Sequence, residues 1–321
     1  MRFTLSDLAD PCLRPLVDET RAFYDKRGAR RGPNCAEDLH AVRAEYAHPA
    51  PANPPAVEEL VTVDGDSVSL RIHTPVDKAA KGVFLEIHEG GFLWGSAACS
   101  DVRNRRLADA LDIAVVSVDY RLAPEHPWPA APADCETAAL WLVEHAEHRF
   151  GTTNLAIGGL SAGATLAMKT LLRLRDRRVT AFDCAVLQFG SYDLSGQTPA
   201  GRLIADEYFL EAYAGSAPDR TDPDFSPIYA DLSDLPPVLM VVGDADIVLE
   251  DNLVMAARLL ASGTDVDVRV YPDAPHGFTA HPTPMGRAGL DDIYTWLRDH
   301  LSPATHSSQP IHRTPTVLIN E

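Results

Sequence analysis

The 321 residues predict an α/β fold, one mostly parallel sheet with helices on both faces, and two observations carry that prediction. Short apolar, β-branched runs alternate with segments of helical spacing from about residue 82 to residue 300, the pattern of strands joined by crossover helices. One strand-to-helix junction is Gly159-Leu160-Ser161-Ala162-Gly163, a serine between two glycines, which is the spacing of a nucleophile elbow. A third feature sets the outline: 1–48 and 190–235 fall outside the alternation and are expected to form a helical cap over the active face.

Taken in order, residues 1–48 read as helical, with Ala22-Phe23-Tyr24 and Leu39, Val42 and Tyr46 as apolar positions. The connector His48-Pro49-Ala50-Pro51-Ala52-Asn53-Pro54-Pro55 cannot be helix interior, because proline lacks the amide proton and its ring clashes with the preceding turn. Leu60–Val63 and Val68–His73 flank Asp64-Gly65-Asp66 and read as a hairpin. Gly82–Ile87, ending at His88, and the continuous run Ile113–Val118 read as strands, the second covered on both faces; Asp101–Leu111 between them has helical spacing. Ala133–His148 is expected to be a helix with Trp141 and Leu142 inward and Glu144 and Glu147 outward. Strands at Asn154–Gly158, Cys184–Phe189, Val238–Val242 and Val266–Tyr271 then alternate with helices at Thr165–Arg177, Val248–Ala261 and Gly286–His300. The core is therefore expected over 49–189 and 236–302, with an N-terminal cap segment at 1–48 and a cap insertion at 190–235. The tail, 303–321, is rich in Ser, Thr and Pro and reads as loosely ordered.

Composition narrows the function classes. A hydrophobic fraction of 45% and a charged fraction of 23% are ordinary for a globular chain with a sizeable core. The formal net charge of −18 disfavours nucleic acid and anionic membrane surfaces, which would repel it. No apolar run approaches the roughly 18 residues of a membrane span. The opening MRFTLSDLADPCLRP carries Asp7, Asp10 and Pro11 and lacks the apolar core of a signal peptide. Cys12, Cys35, Cys99, Cys135 and Cys184 are odd in number and lack metal-ligand spacing, so they read as reduced thiols. The expected location is the cytoplasm.

Acyl transfer by serine needs a base on the hydroxyl, a carboxylate to orient the base, and donors for the oxyanion. The turn around Ser161 is so tight that the residues two before and two after it must be small, hence Gly159 and Gly163. Asp246, in Gly243-Asp244-Ala245-Asp246, follows the strand Val238–Val242; His276, in Pro275-His276-Gly277-Phe278, follows Val266–Tyr271. Serine, acid, histidine, each at the carboxyl end of a strand, is the α/β-hydrolase order. His88-Glu89-Gly90-Gly91-Phe92 closes an earlier strand, and its glycines let backbone N–H groups approach a substrate oxygen.

With these motifs stand Asp119-Tyr120-Arg121-Leu122-Ala123-Pro124-Glu125, Ser226-Pro227, Leu235-Pro236-Pro237 and His276-Gly277-Phe278. Over about residues 60–300 the chain resembles the hormone-sensitive-lipase-like branch (family IV) of the α/β-hydrolases, serine esterases with a His-Gly-Gly-Gly loop upstream of the nucleophile. The resemblance implies an α/β-hydrolase fold and carboxylesterase chemistry through an acyl-enzyme, with no metal or organic cofactor. It makes Ser161 the nucleophile, His276 the general base and then acid, and Asp246 the orienting carboxylate. Gly90, Gly91 and Ala162 would supply the oxyanion N–H groups. Asp244 and Asp251 lie near enough to compete as the acid, but Asp246 holds the motif position. Short to medium acyl chains are expected, since a cap without an extended apolar groove suits small substrates. The expected partner is a small ester, with no nucleic acid and no membrane span, and a homodimer is left open. Two alternatives stand: an amide or formamide hydrolase, as in kynurenine-formamidase-like relatives, and a non-catalytic small-molecule-binding relative. The presence of Ser, Asp and His weighs against the second.

The chain departs from that branch in three residues. Glu89 replaces the first glycine of the loop, Leu160 stands where Asp commonly precedes the serine, and Ala164 replaces the glycine after Gly163. Glu89 has two readings: a carboxylate at the pocket mouth favouring polar or cationic substrate groups, or one hydrogen-bonded within its own loop. Leu160 bears on substrate preference. Phe92, Trp94, Tyr192, Tyr208 and Phe209 are candidate substrate contacts, against plain packing. His126 reads as structural, His145 and His148 as a solvated helix face in place of a metal pair, and His281 lacks the Gly-Phe context. His88 is expected to fix its loop through hydrogen bonds.

Overall fold

Strand burial follows from the apolar runs. A computed structural model describes residues 8–28, 32–205 and 207–301, and in it eight strands form one sheet: β1 (Val57–Val63), β2 (Asp66–His73), β3 (Val83–Ile87), β4 (Ala114–Asp119), β5 (Leu155–Leu160), β6 (Cys184–Gln188), β7 (Val238–Gly243) and β8 (Val266–Tyr271). Their order is β1-β2-β4-β3-β5-β6-β7-β8. β1 and β2 pair antiparallel, as do β2 and β4, and all later pairs are parallel. The first hairpin pairs Val63 with Asp66. Its two turn residues, Asp64 and Gly65, both have positive φ (54° and 95°), the backbone twist a two-residue hairpin requires. β1 starts three residues before the expected Leu60. As an edge strand it leaves Val57 and Leu60 exposed, which blurred the alternation there.

Among the described residues, eight helices pack around the sheet: α1 (Val17–Arg27), α2 (Ala36–Tyr46), α3 (Asp101–Leu111), α4 (Ala130–Phe150), α5 (Ala162–Asp176), α6 (Tyr208–Ala214), α7 (Leu249–Ala261) and α8 (Pro284–His300). Period-two alternation divides the core in two. Val83, Leu85 and Ile87 of β3 face one cluster with Leu142 of α4 and Leu166 of α5. Phe84 faces the other, with Leu107 of α3 and Leu297 of α8. Each such fully buried aliphatic side chain contributes about 1.5–3 kcal/mol. α5 begins at Ala162, three residues before the expected start, because the helix departs directly from Ser161 and takes Gly163 into its first turn. α4 extends to Phe150 and is stopped by left-handed Gly151 (φ 74°), a conformation glycine adopts without Cβ strain.

The N-terminal helices are tied to two different loops at the carboxyl end of the sheet. Arg21 of α1 pairs with Asp273 at 2.9 Å, and Tyr24 Oη lies 3.0 Å from His281 Nδ1, both partners being in the loops after β8. Arg43 of α2 donates to the carbonyls of Leu93 and Ala123, each at 2.8 Å, and to the Glu125 carboxylate. Leu39 is buried as expected, whereas Tyr46 is exposed. Residues 190–235 carry α6 and short turns. The tail 303–321 lies outside the described residues. Among them, no helix is long and apolar enough to cross a membrane.

Candidate active site

Ser161 links β5 to α5 at φ 53°, ψ −118°, a left-handed conformation that costs a non-glycine residue about 1–3 kcal/mol. Its amide donates to Gln188 O at 2.9 Å, which helps hold it there. A Cβ on either Gly159 or Gly163 would collide with the Ile87 carbonyl at the end of β3. The small flanks therefore answer to the neighbouring strand as well as to the turn.

His276 Nε2 lies 2.8 Å from Ser161 Oγ, and its Nδ1 is 3.0 Å from both Asp246 oxygens. A carboxylate there accepts the Nδ1 proton, leaving Nε2 as acceptor for the serine hydroxyl. The Asp246 side chain is wholly buried, while His276 is 39% exposed, an anchored acid behind a base that reaches the open face. Asp246 Oδ1 also accepts the Val248 amide at 3.0 Å. The competing acids are engaged elsewhere: Asp244 accepts the Asp273 amide at 2.7 Å, and Asp251 accepts the amides of Tyr192 and Asp193. Burial pushes the Asp251 carboxyl up to about 6, against those two amides.

After β3 the chain turns sharply through Gly90 (φ 126°), Gly91 (φ 56°) and Phe92 (φ 65°). Gly90 O accepts from Leu93 and Trp94, and a Cβ on Gly90 would collide with the Trp94 carbonyl. The amides of Gly90, Gly91 and Ala162 donate to no acceptor among the described residues. His88 Nδ1 donates to Glu89 O at 2.7 Å, and its ring stacks on Tyr120 at 4.1 Å. Tyr120 Oη in turn donates to His88 O at 3.1 Å, and Ala123 N to Phe92 O at 3.0 Å. The 119–125 segment thus braces the turn from outside.

The Glu89 carboxylate meets a partner outside its loop, Arg103 of α3, at 3.1 and 3.3 Å. Arg103 also binds Glu86 of β3 and Ser100 Oγ, each at 2.8 Å. Glu86 is buried, with Asn104 and Ser117 as further donors. Burial works to raise the Glu89 pKa, but Arg103 outweighs it and holds the carboxyl at about 2. Its charge is therefore matched within the scaffold.

Of the candidate contacts, Trp94 and Phe209 lie beside the turn: a Cβ on Gly91 would come within 3.0 Å of the Trp94 ring and 3.7 Å of Phe209 Cβ. Both are half-buried, as is Tyr208. Three candidates pack in the core instead. Phe92 is buried and stacks on Tyr213 at 4.0 Å, because its positive φ turns the ring under the loop. Leu160 ends β5 on the α3/α8 side of the sheet. Tyr192 is buried, its amide held by Asp251. Among the remaining histidines, His145 bonds Trp141 O within its own helix and His281 meets Tyr24. Sequence reasoning passed over Arg103 and Lys169. The available signal for Lys169 was a cation inside the apolar run Leu166-Ala167-Met168-Lys169-Thr170-Leu171-Leu172.

A family model for the α/β-hydrolase fold matches residues 84–280. The chain is 31% identical to the carboxylic ester hydrolase LipN of Mycobacterium tuberculosis, over 91% of this chain and 83% of that one. It is also 31% identical to an ethyl acetate hydrolase of Pseudomonas putida, over 89% and 91%. Among solved structures, an esterase of Pyrobaculum calidifontis superposes with a TM-score of 0.74 at 26% identity, covering 91% of this chain and 98% of that one. The chain belongs to the α/β-hydrolases, in their hormone-sensitive-lipase-like branch.

Proposed function

We propose that this α/β-hydrolase cleaves carboxylic esters of short to medium acyl chains through an acyl-enzyme on Ser161. The observation that carries the reading is the continuous relay from Ser161 Oγ through His276 to both oxygens of buried Asp246. Ser161 Oγ attacks the ester carbonyl while His276 Nε2 takes its proton, and Asp246 steadies the imidazolium. The carbonyl oxygen, now an anion, accepts from the amides of Gly90, Gly91 and Ala162. Losing one oxyanion donor raises the barrier by about 2.7–4 kcal/mol where this has been measured. His276 then protonates the departing alcohol, and water, deprotonated by the same nitrogen, releases the acid.

The short-chain preference rests on Trp94 and Phe209 closing over Gly91, and on the ethyl acetate hydrolase among the relatives. The segments 1–48 and 190–235 act as its cap: a Cβ on Gly32 would come within 3.5 Å of the Trp94 ring, and Phe209 belongs to the insertion. Free thiols at all five cysteines support a reducing compartment, the cytoplasm.

The test is to treat the protein with an aryl phosphonate, locate the adduct by mass spectrometry, and assay aryl esters of increasing chain length beside Ser161→Ala. An adduct on Ser161 and a fall in kcat of ~10⁴–10⁶-fold in the variant are expected. Turnover that survives Ser161→Ala would sink the reading; labelling without ester turnover would move it to amide or formamide substrates.

A further inference from the structure

Lys169 is fully buried on α5, about two helical turns beyond Ser161. Among the described residues it forms no salt bridge. Its Nζ donates to Tyr213 Oη at 3.1 Å and lies over three aromatic rings, with centroids at 4.9 Å for Tyr213, 5.4 Å for Phe225 and 5.9 Å for Phe92. The nearby carboxylate of Asp224 is already taken by Arg173, at 2.6 and 2.7 Å, and by Trp128 Nε1 at 3.0 Å. A methionine or leucine would fill this space without the cost of burying an ammonium. Whatever Lys169 contributes is therefore directional: one hydrogen bond to Tyr213 in either protonation state and, while the amine is charged, an attraction to ring faces.

The rings come from two parts of the chain that must meet over the nucleophile helix. Tyr213 and Phe225 belong to the insertion, whereas Phe92 follows Gly91 directly and holds a strained φ of 65°. Phe92 also stacks on Tyr213. We infer that Lys169 is a positioning residue for this site: from the nucleophile helix it clasps the Phe92 ring, and so sets where the oxyanion turn lies relative to Ser161 and the insertion. The inference rests on the proposed reading of that turn as the oxyanion donor. It acts through Phe92 and touches no substrate.

The experiment compares Lys169→Met, Phe92→Leu and the double variant with wild type. It measures kcat and KM on aryl esters, the inhibition constant of a trifluoromethyl ketone, which forms an oxyanion on the serine, and thermal unfolding. Lys169→Met is expected to lower kcat roughly ten- to a hundredfold, the scale of a misplacement well short of losing a catalytic group. KM should stay within about threefold, inhibitor affinity should fall in parallel with kcat/KM, and Tm should be equal or higher, since a buried charge is gone. The double variant should be no worse than the more impaired single one. A kcat within twofold of wild type, or additive losses, would overturn the inference. If Lys169→Met does not fold, Phe92→Leu alone carries the test: the same loss in kcat supports it and wild-type kcat overturns it. Phosphonate labelling of Ser161 separates the two failures, because absence of labelling in wild type would defeat the functional reading itself, whatever the variants do.

Discussion

Arg103 and Lys169 are both cations set beside the turn between His88 and Phe92, one on α3 and the other on α5, on opposite faces of the sheet. Arg103 reaches the residue before the two glycines, Glu89, and Lys169 the residue after them, Phe92. Their surroundings have opposite effects. Burial works against the Arg103 charge, but Glu89 and Glu86 more than offset it and hold the guanidinium above its usual range. Burial pushes the Lys169 ammonium down to about 7, against the upward pull of Asp224. One turn is thus gripped by two chemistries: a planar fork that divides its donors between two carboxylates, and a compact amine that fits a box of rings. It also assigns a purpose to Glu89. Where the branch has glycine, this chain has a side chain through which α3 can hold the loop.

Arg103→Met should cost the most. It leaves Glu86, 2% exposed, without its cation, and should lower unfolding stability by about 3–5 kcal/mol, read by urea denaturation. Unchanged stability would mean that the hydroxyl and amide donors of Ser100, Asn104 and Ser117 suffice. Lys169 should behave in the opposite sense. Its folded pKa lies below its unfolded value, so between about pH 7 and about 10.4 the unfolded chain binds a proton that the folded chain does not. Stability relative to Lys169→Met should therefore rise with pH across that window. A pH-independent difference would show that the rings keep the ammonium charged. The smallest effect is expected from Glu89→Gln. Its side chain is 39% exposed, so the stability change should stay below about 1 kcal/mol, and kcat/KM should fall a few-fold, equally for neutral and amine-bearing esters. A loss confined to the amine-bearing esters would mean that Glu89 still addresses the substrate.

Much of this was legible in the chain. The apolar runs became β4 and β7 within a residue or two, because strands covered on both faces are built mainly from apolar residues. Ser161, Asp246 and His276 were placed by motif and order, and they meet in space because parallel strands deliver their carboxyl ends to one edge of the sheet. What stayed hidden depends on partners brought together by folding alone. Glu89 offered a charge without revealing whether substrate or scaffold would receive it, and the answer lay one helix later, at Arg103. Lys169 drew no notice in its apolar stripe, because the partners that give it meaning, Phe92, Tyr213 and Phe225, come from distant segments. Phe92, Leu160 and Tyr192 carried aromatic or unexpected identities that drew attention to the pocket, but the direction of a side chain at a turn or a strand end is set by backbone torsion and pleat, which composition does not report.

The collision that a Cβ on Gly163 would make with the Ile87 carbonyl has a mechanical meaning. Gly163 sits one residue beyond the Ala162 amide, and Ile87 just ahead of the loop that supplies the facing amides. The missing methyl is a gauge between two parts machined separately, one on α5 and one on β3. On the proposed reading of those amides as oxyanion donors, its absence sets the bite of the anion receptor. With a Cβ at Gly163, one of the two backbones would have to shift.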